Sequence, residues 1–257
     1  MKKALMAALT LLALVSCAGK RPAARQTLTL LTYNVGVFSK YEESGIAGVA
    51  NLIRSSGATL VGLNELDSCN RRHADYQVQE LARELGGWFF TFASAFPYAG
   101  GAYGNGVVSE KAIRYRYRVP LPQADGAEPR SVAVVETDQC VLGAVHLDHR
   151  SEAAALAQMQ VVNDWFAAHY AHCPKPVFLC GDFNVVPDSP VIALAQSEWS
   201  LLSGTDYTHS TANPRHCIDY VFAYRHAAPV QVQDYRVYQD GASRLSDHFP
   251  VRVTVSF

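Results

Sequence analysis

Of 257 residues, 22 are Lys or Arg and 23 are Asp or Glu, a formal net charge of −1. A near-neutral surface gives no electrostatic support for tight, general binding to a polyanion, which counts against a dedicated nucleic-acid binder. No Pro- or Ser-rich linker, internal repeat or low-complexity tract divides the chain, so all that follows the leader reads as one large sandwich or barrel.

The chain opens Met1-Lys2-Lys3, then runs apolar from Ala4 to Val15 and reaches Ser16-Cys17. A basic start, an apolar segment too short to span a bilayer and small residues at its end describe an export signal. Leu14-Val15-Ser16-Cys17 also resembles the lipobox of bacterial lipoproteins, in which the cysteine is lipidated and becomes the new first residue. The expectation is a signal over residues 1–17 with lipidation at Cys17, a polar tether over 18–26, and one domain over 27–257. Such a protein would sit in the cell envelope, at the outer membrane or the periplasmic face. Without residues 1–16, which hold Lys2 and Lys3 and no acid, the net charge is near −3. Cys69, Cys140, Cys173, Cys180 and Cys217 form no zinc spacing, and export leaves disulfides open.

Thr27 to Val35 reads as a strand ending at Tyr33-Asn34. Ile46, Val49, Ala50 and Ile53 are spaced for one helical face, closed by Ser55-Ser56-Gly57. A strand from Thr59 to Leu63 ends at Asn64-Glu65, and an amphipathic helix follows over Asp75 to Gly86. Further strands are expected around Trp88–Ala93, Gly106–Ser109 and Ile113–Val119. In the last, Arg114, Arg116 and Arg118 alternate with apolar and aromatic residues, as on a half-solvated edge strand. Ser131–Glu136 and Cys140–His146 read as a hairpin, Ser151 to His169 as the longest helix, and Val191–Ala195 as a short one. Strands at Ile218–Tyr224, Val230–Tyr238 and Val251–Phe257 close the chain. Loops at Phe96–Gly104, Leu121–Arg130 and Glu198–Pro214, with Tyr98, Tyr103, Tyr207 and His209, would set specificity. Strand–helix–strand units are too few for a wholly parallel sheet. An α/β four-layer sandwich, two packed mixed sheets flanked by helices, fits best.

The pattern centres on Cys180-Gly181-Asp182-Phe183-Asn184, which follows the apolar run Pro176-Val177-Phe178-Leu179. Side chains two apart on a strand share a face, so Asp182 and Asn184 are expected to lean together beyond the strand end, with Phe183 in the core. An acceptor beside a mixed donor and acceptor suits a phosphate, a water or a metal, although a plain turn uses the same residue types. The arrangement recurs: Asn34, Glu65, His146 with Asp148, Asp219, and Asp247-His248 all fall where an apolar strand stops or lies close by. Asp219, inside Cys217–Val221, needs a partner, because a lone buried carboxylate is costly or takes up a proton.

Together these segments carry a resemblance. Leu31-Thr32-Tyr33-Asn34, Gly62-Leu63-Asn64-Glu65, Gly104-Asn105-Gly106-Val107-Val108-Ser109 and Val145-His146-Leu147-Asp148 are the first four, in chain order. Gly181-Asp182-Phe183-Asn184, Ile218-Asp219-Tyr220-Val221 and Ser246-Asp247-His248-Phe249-Pro250-Val251 complete it. The set resembles the endonuclease/exonuclease/phosphatase family, the DNase I-like hydrolases, whose fold is the same four-layer sandwich. The resemblance implies metal-dependent hydrolysis of a phosphoester, usually with Mg²⁺ or Mn²⁺. By position, Glu65 would be the principal metal ligand, with Asn34 and Asp247 completing or supporting the site, hard donors of the kind Mg²⁺ prefers. His248 would be the catalytic histidine and general base, oriented by Asp219 through a ring N–H bond. Asp182 and Asn184 would position the attacking water or hold phosphoryl oxygens, and His146 would touch a phosphate oxygen or the leaving group. Asn105, Arg130 and Asp148 would be further substrate contacts, and Asp67, Arg71, Arg72 and His149 would be contacts at the rim.

His146-Leu147-Asp148-His149 faintly resembles the His-x-His-x-Asp-His signature of metallo-β-lactamase-like hydrolases, but Ala144 stands in the first histidine's place. A non-catalytic lipoprotein that binds a phosphorylated ligand or partner would be expected to lack Glu65, Asp182 or His248, all of which are present. Nucleic acid, a nucleotide or sugar phosphate, an inositol phosphate and a phospholipid headgroup all suit such a site. Export, an anchor and mild acidity favour a monomeric envelope enzyme that scavenges phosphoesters.

Overall fold

The computed structural model describes residues 25–41, 43–124, 127–240 and 242–257. The expected signal, the lipobox cysteine and most of the tether lie outside the described residues. The first strand, β1 (Thr27–Asn34), buries Leu28 and Leu30 on one face and Leu31 and Tyr33 on the other. There follow α1 (Ile46–Ser56), β2 (Leu60–Ser68), α2 (Gln77–Glu84), β3 (Phe89–Tyr98), β4 (Gly101–Ser109), β5 (Ile113–Pro120), β6 (Ser131–Thr137) and β7 (Val141–His146). The second half holds α3 (Glu152–Tyr170), β8 (Val177–Asp182), α4 (Pro190–Glu198), β9 (Trp199–Leu201), β10 (Asp219–Tyr224), β11 (Gln231–Val237) and β12 (Val251–Ser256).

The strands form two six-stranded sheets, ordered β11-β12-β1-β2-β4-β3 and β5-β6-β7-β8-β10-β9. Only the β1–β2 and β7–β8 neighbours are parallel among the described residues, so both sheets are mixed. Three apolar cores account for the layering. Leu30, Leu60, Leu142, Cys180 and Val253 meet between the sheets. Val49, Ile53 and Leu81 of α1 and α2 cover Leu31, Val61 and Leu63 on the first sheet. Met159, Val162 and Phe166 of α3, with Ile192 of α4, cover Val134, Val145 and Leu179 on the second. Strands buried on both faces have no reason to alternate, which is why these segments read as continuous apolar runs.

Some boundaries differ from the sequence expectation. Phe96–Gly104 is not a loop but the tip of a long β3–β4 hairpin turning at Ala99-Gly100. Gly100, with a φ of 92°, makes the turn, whereas Gly101 and Gly104 mark close backbone approach; a Cβ on Gly104 would lie 2.1 Å from the Ala93 carbonyl oxygen. α4 is longer than expected because Ser189 caps it through Ile192 N–H with Pro190 in its first turn. β5 is the edge strand anticipated, and Arg116 and Arg118 donate to the Phe90 and Ser94 carbonyls of β3. All five cysteines of the described residues are free thiols. No helix among those residues is long and apolar enough to cross a membrane.

Gly62 sets how closely the sheets approach: a Cβ there would lie 2.3 Å from Cys180 Sγ and 3.2 Å from Ala144 Cβ. Gly62→Ala is expected to destabilise the fold by about 1–3 kcal/mol through overpacking. The check is a lower urea midpoint with an unchanged m-value; an unchanged midpoint would show that Cys180 moves aside freely.

Candidate active site

Strand register assembles the site. His146 ends β7 opposite Asp182 at the end of β8, and Asp182 pairs in turn with Asp219 at the start of β10. In the other sheet Asn34 ends β1 opposite Asn64 of β2. Between these strand ends lies a cleft of about 340 Å³, whose walls include Glu65, Arg130, His146, Asp182, Asp247 and His248.

One buried amide ties the two rows together. Asn64 Nδ2 donates to Val145 O (2.8 Å) and to Asn105 Oδ1 (3.0 Å), and its Oδ1 accepts the Asp182 N–H (3.0 Å). Asn105 donates onward to Ser131 O (2.7 Å). Its amide is therefore spent inside the protein, and Asn105 is a strut of the sandwich rather than a substrate contact. Asn64 went unrecognised as a functional residue in the sequence; an amide inside an otherwise apolar strand was the available signal.

His248 sits where the network converges. Its Nδ1 lies 2.9 Å from Asp219 Oδ2 and its Nε2 lies 3.6 Å from Asp182 Oδ2. Asp219 is itself positioned by Thr208, whose Oγ1 accepts the Ile218 and Asp219 N–H groups. Burial opposes a charge on the imidazole, but the carboxylates of Asp219 and Asp182 outweigh it and push the ring up to about 10. Burial also pushes the Asp182 carboxyl up to about 7, against the pull of His248. Asn34 Nδ2 donates to Glu65 Oε1 and to Asp182 Oδ2, both at 3.1 Å, so both amide hydrogens are used.

His146 has a different state. Arg130 has only donors, so His146 Nδ1, 3.1 Å from Arg130 Nη1, is an acceptor and the proton rests on Nε2, 3.5 Å from Asp182 Oδ2. Burial and the adjacent guanidinium hold this imidazole well below its ordinary range, hence neutral. Arg130 is buried and also reaches Glu128 and His149 Nδ1, at 3.0 and 3.1 Å. His149 therefore shares the cleft wall, as its expected rim position implied.

Glu65 owes its direction to a bulge. The register of β2 against β4 slips between Leu63 and Leu66, and Glu65 adopts a left-handed φ of 58°. Bulges re-aim side chains in this way, and here the carboxylate turns into the cleft. Asp247 lines the same cleft with its Oδ2 2.6 Å from Lys40 Nζ. Two carboxylates on a solvent-open cleft fit a hard divalent ion that keeps several waters. Asn34 faces the carboxylates with its amide nitrogen: its Oδ1 accepts the Gly36 N–H at 3.1 Å, and reversing the amide would aim oxygen at two carboxylates. It supports the site as a donor. Ligand-type atoms of Asp182, Asp219 and His248 also lie within 4.8 Å of one another. There His248 and Asp219 are spent on each other, so the trio is a proton network rather than a coordination sphere.

Both shared-face expectations meet strands that stop first: Asp182 and Asn184 nevertheless face one cleft, whereas His146 and Asp148 do not. β8 ends at Asp182, and Asn184 beyond it takes a left-handed φ of 55°, donating its amide to Leu147 O. It still lines the cleft, whereas Phe183 is fully buried as expected. β7 ends at His146, and Asp148 Oδ1 caps the following turn, accepting the Arg150 and Ser151 N–H groups at 2.8 Å. Asp148 lines a neighbouring hollow shared with Asn184, not the cleft that holds His248. Asp67, Arg71 and Arg72 do not line the cleft: Asp67 is buried, forked to Arg72 and bonded to His73, and Arg72 lies over the Tyr98 ring at 4.7 Å. Arg71 donates its N–H to Ala99 O. Tyr103 and His209 also line the cleft, while Tyr207 is exposed.

The profile of the Endonuclease/Exonuclease/phosphatase family matches residues 31–248. Comparison with curated proteins gives no match. Among solved structures, the fold is similar to an endonuclease/exonuclease/phosphatase from Beutenbergia cavernae DSM 12333, at 23% identity over 90% of this chain and 72% of that one, TM-score 0.71. An endonuclease/exonuclease/phosphatase from Bacteroides vulgatus superposes with TM-score 0.72 at 17% identity, covering 90% and 98% of the two chains. A mannosyl-6-phosphatase of Bacteroides thetaiotaomicron VPI-5482 does so with TM-score 0.70 at 18% identity, covering 90% and 100%. At these identities the likeness concerns the fold.

The two titrations give a signed prediction. The folded chain holds more protons than the unfolded chain at Asp182 from pH 3.8 to about 7, and at His248 from 6.5 to about 10. Extra protons on the folded state mean that stability falls as pH rises. Below about pH 7 the depressed imidazoles of His146 and His209 oppose the Asp182 contribution, so in EDTA the melting temperature should drop between about pH 7 and pH 10, where His248 dominates. Asp219→Asn should flatten the part above pH 6.5. A melting temperature that climbs over this range would contradict the assignment.

Proposed function

The chain belongs to the endonuclease/exonuclease/phosphatase family, whose members are phosphoesterases, and from that premise we propose that it is a divalent-metal-dependent hydrolase that cleaves phosphodiesters by in-line attack of water. The observation that carries this reading is the continuous set Asp219, His248, Asp182, Asn34 and Glu65, joined side chain to side chain beside one cleft.

A phosphodiester is anionic and repels hydroxide, so charge growing on its phosphoryl oxygens has to be neutralised and a water aligned and deprotonated. Glu65 and Asp247 would hold Mg²⁺ or Mn²⁺, which when bound supplies Lewis-acid neutralisation of a phosphoryl oxygen. His248, kept as imidazolium by Asp219 and Asp182, presents an Nε2–H donor. His146 presents a neutral Nε2–H whose tautomer is set by Arg130. Both donors are positioned to hold phosphoryl oxygens. Asp182 takes the proton from the attacking water, since its carboxyl is lifted toward the working pH and an imidazolium has no lone pair to do so. The base role expected of His248 thus passes to Asp182 in this reading.

The leader and its lipobox support placement in the cell envelope through lipid on Cys17, with a monomer acting on scavenged phosphoesters, nucleic acid among them. The decisive experiment is hydrolysis by the purified protein with Mg²⁺ across bis-p-nitrophenyl phosphate, p-nitrophenyl phosphate, plasmid DNA, RNA, inositol phosphates and sphingomyelin. Activity is expected to vanish in EDTA and to fall by ~10²–10³-fold in His248→Ala, the loss of one donor to the phosphoryl oxygens. Folded protein inactive on every member would favour the non-catalytic, phospho-ligand-binding reading instead. With an active substrate, the pH–rate profile should be a bell. In Asp219→Asn the alkaline limb should move to lower pH further than the acid limb, which Asp219 also lifts through Asp182. An alkaline limb that stays in place while the acid limb moves would return the base role to His248.

A further inference from the structure

The backbone that leaves β1 is unusual. Gly36, Val37 and Phe38 have φ of 51°, 51° and 54°, so a β-branched and an aromatic residue both sit in left-handed conformation. Such a turn persists only where its surroundings impose it. Gln77 does so from α2: its Nε2 donates to Val37 O at 2.8 Å while its Oε1 accepts the Asp67 N–H at 2.7 Å, and Gln77 is buried. Asn34 Oδ1 holds the other side of the turn through the Gly36 N–H.

The turn folds Lys40 back over Gly36. A Cβ on Gly36 would meet Lys40 Cβ at 3.1 Å and Cδ at 3.3 Å, so the lysine stem lies in the space that the missing side chain leaves. From there the ammonium reaches Asp247 Oδ2 at 2.6 Å. The contact differs from an incidental surface ion pair because a strained turn, a glycine and a buried glutamine all serve to place it.

We propose that Lys40 is a positioning residue of the metal site: its ammonium occupies Asp247 while no divalent ion is bound and has to give way when one binds. This rests on the reading above that Glu65 and Asp247 hold the ion. In the ion-free protein Lys40 offsets the repulsion among the carboxylates of Glu65, Asp182 and Asp247. In the bound protein it is a like charge beside a divalent cation, so it loosens the ion's hold.

Mn²⁺ binding to the full chain, followed by the electron paramagnetic resonance signal of the free ion without substrate, tests this independently of catalysis. Lys40→Met should bind Mn²⁺ about three- to tenfold more tightly at low salt, with a smaller difference at high salt. Lys40→Arg should resemble the wild type, and in an Asp247→Asn background the effect of Lys40→Met should shrink to the part due to like-charge repulsion alone. Equal or weaker binding by folded Lys40→Met, with Mn²⁺ still bound by the wild type, would overturn the role of Lys40 and leave the metal reading intact. A wild type that binds no Mn²⁺ would overturn both.

Discussion

Everything at the catalytic end of the sandwich depends on the Asn64 amide. Two sheets packed by apolar contacts alone are free to slide by fractions of an ångström, since dispersion has little directionality. Asn64 removes that freedom by bonding at once to the Val145 carbonyl, the Asp182 N–H and Asn105, all in buried surroundings. Each of those groups would otherwise be left unsatisfied away from water, at about 1–3 kcal/mol apiece. The positions of Asp182 and of the Glu65 bulge next to Asn64 are thereby referred to one another, although they belong to different sheets.

On that frame the cleft concentrates acids that could not be buried alone. Asp219 is answered by His248, Asp247 by Lys40, and Glu128 by Arg130, while Asp182 lies within reach of His248 and His146. The two histidines end in opposite states for a stated reason. His248 faces two carboxylates and gains a proton; His146 faces a guanidinium and is denied one. Each still presents an Nε2–H to the same region, so one geometry yields one charged and one neutral donor. Left-handed backbone at Val37, Phe38, Glu65 and Asn184 surrounds these groups. Strain of this kind, of order 1–3 kcal/mol per residue, is tolerated where packing over-determines the chain.

The same geometry bears on the rival zinc reading. Ala144, standing where a first zinc-binding histidine would have to be, is fully buried in the core between the sheets. A side chain at that position shares its face with His146 but lies deeper, in the closed core beside Gly62, rather than in the cleft.

The sequence by itself determined the layers. Continuous apolar strands require cover on both faces, helical periodicity supplied the covers, and polar residues clustered at strand ends marked where the chemistry lies. It also named most of the cleft: Glu65, His146, Asp182, Asn184, Asp247 and His248 all line it. What it could not determine was direction. Asn184 and Asp148 each lie two residues past a strand end, yet only Asn184 lines the cleft, because Asp148 caps the turn into α3. Glu65 depended on a bulge, Asn34 on which end of its amide met Gly36, and Lys40 on a left-handed turn packed against a helix distant in sequence. Side-chain type and period are local properties written along the chain. Aim, protonation and partnership are set by groups brought together from both sheets, and those existed only once the sandwich had closed.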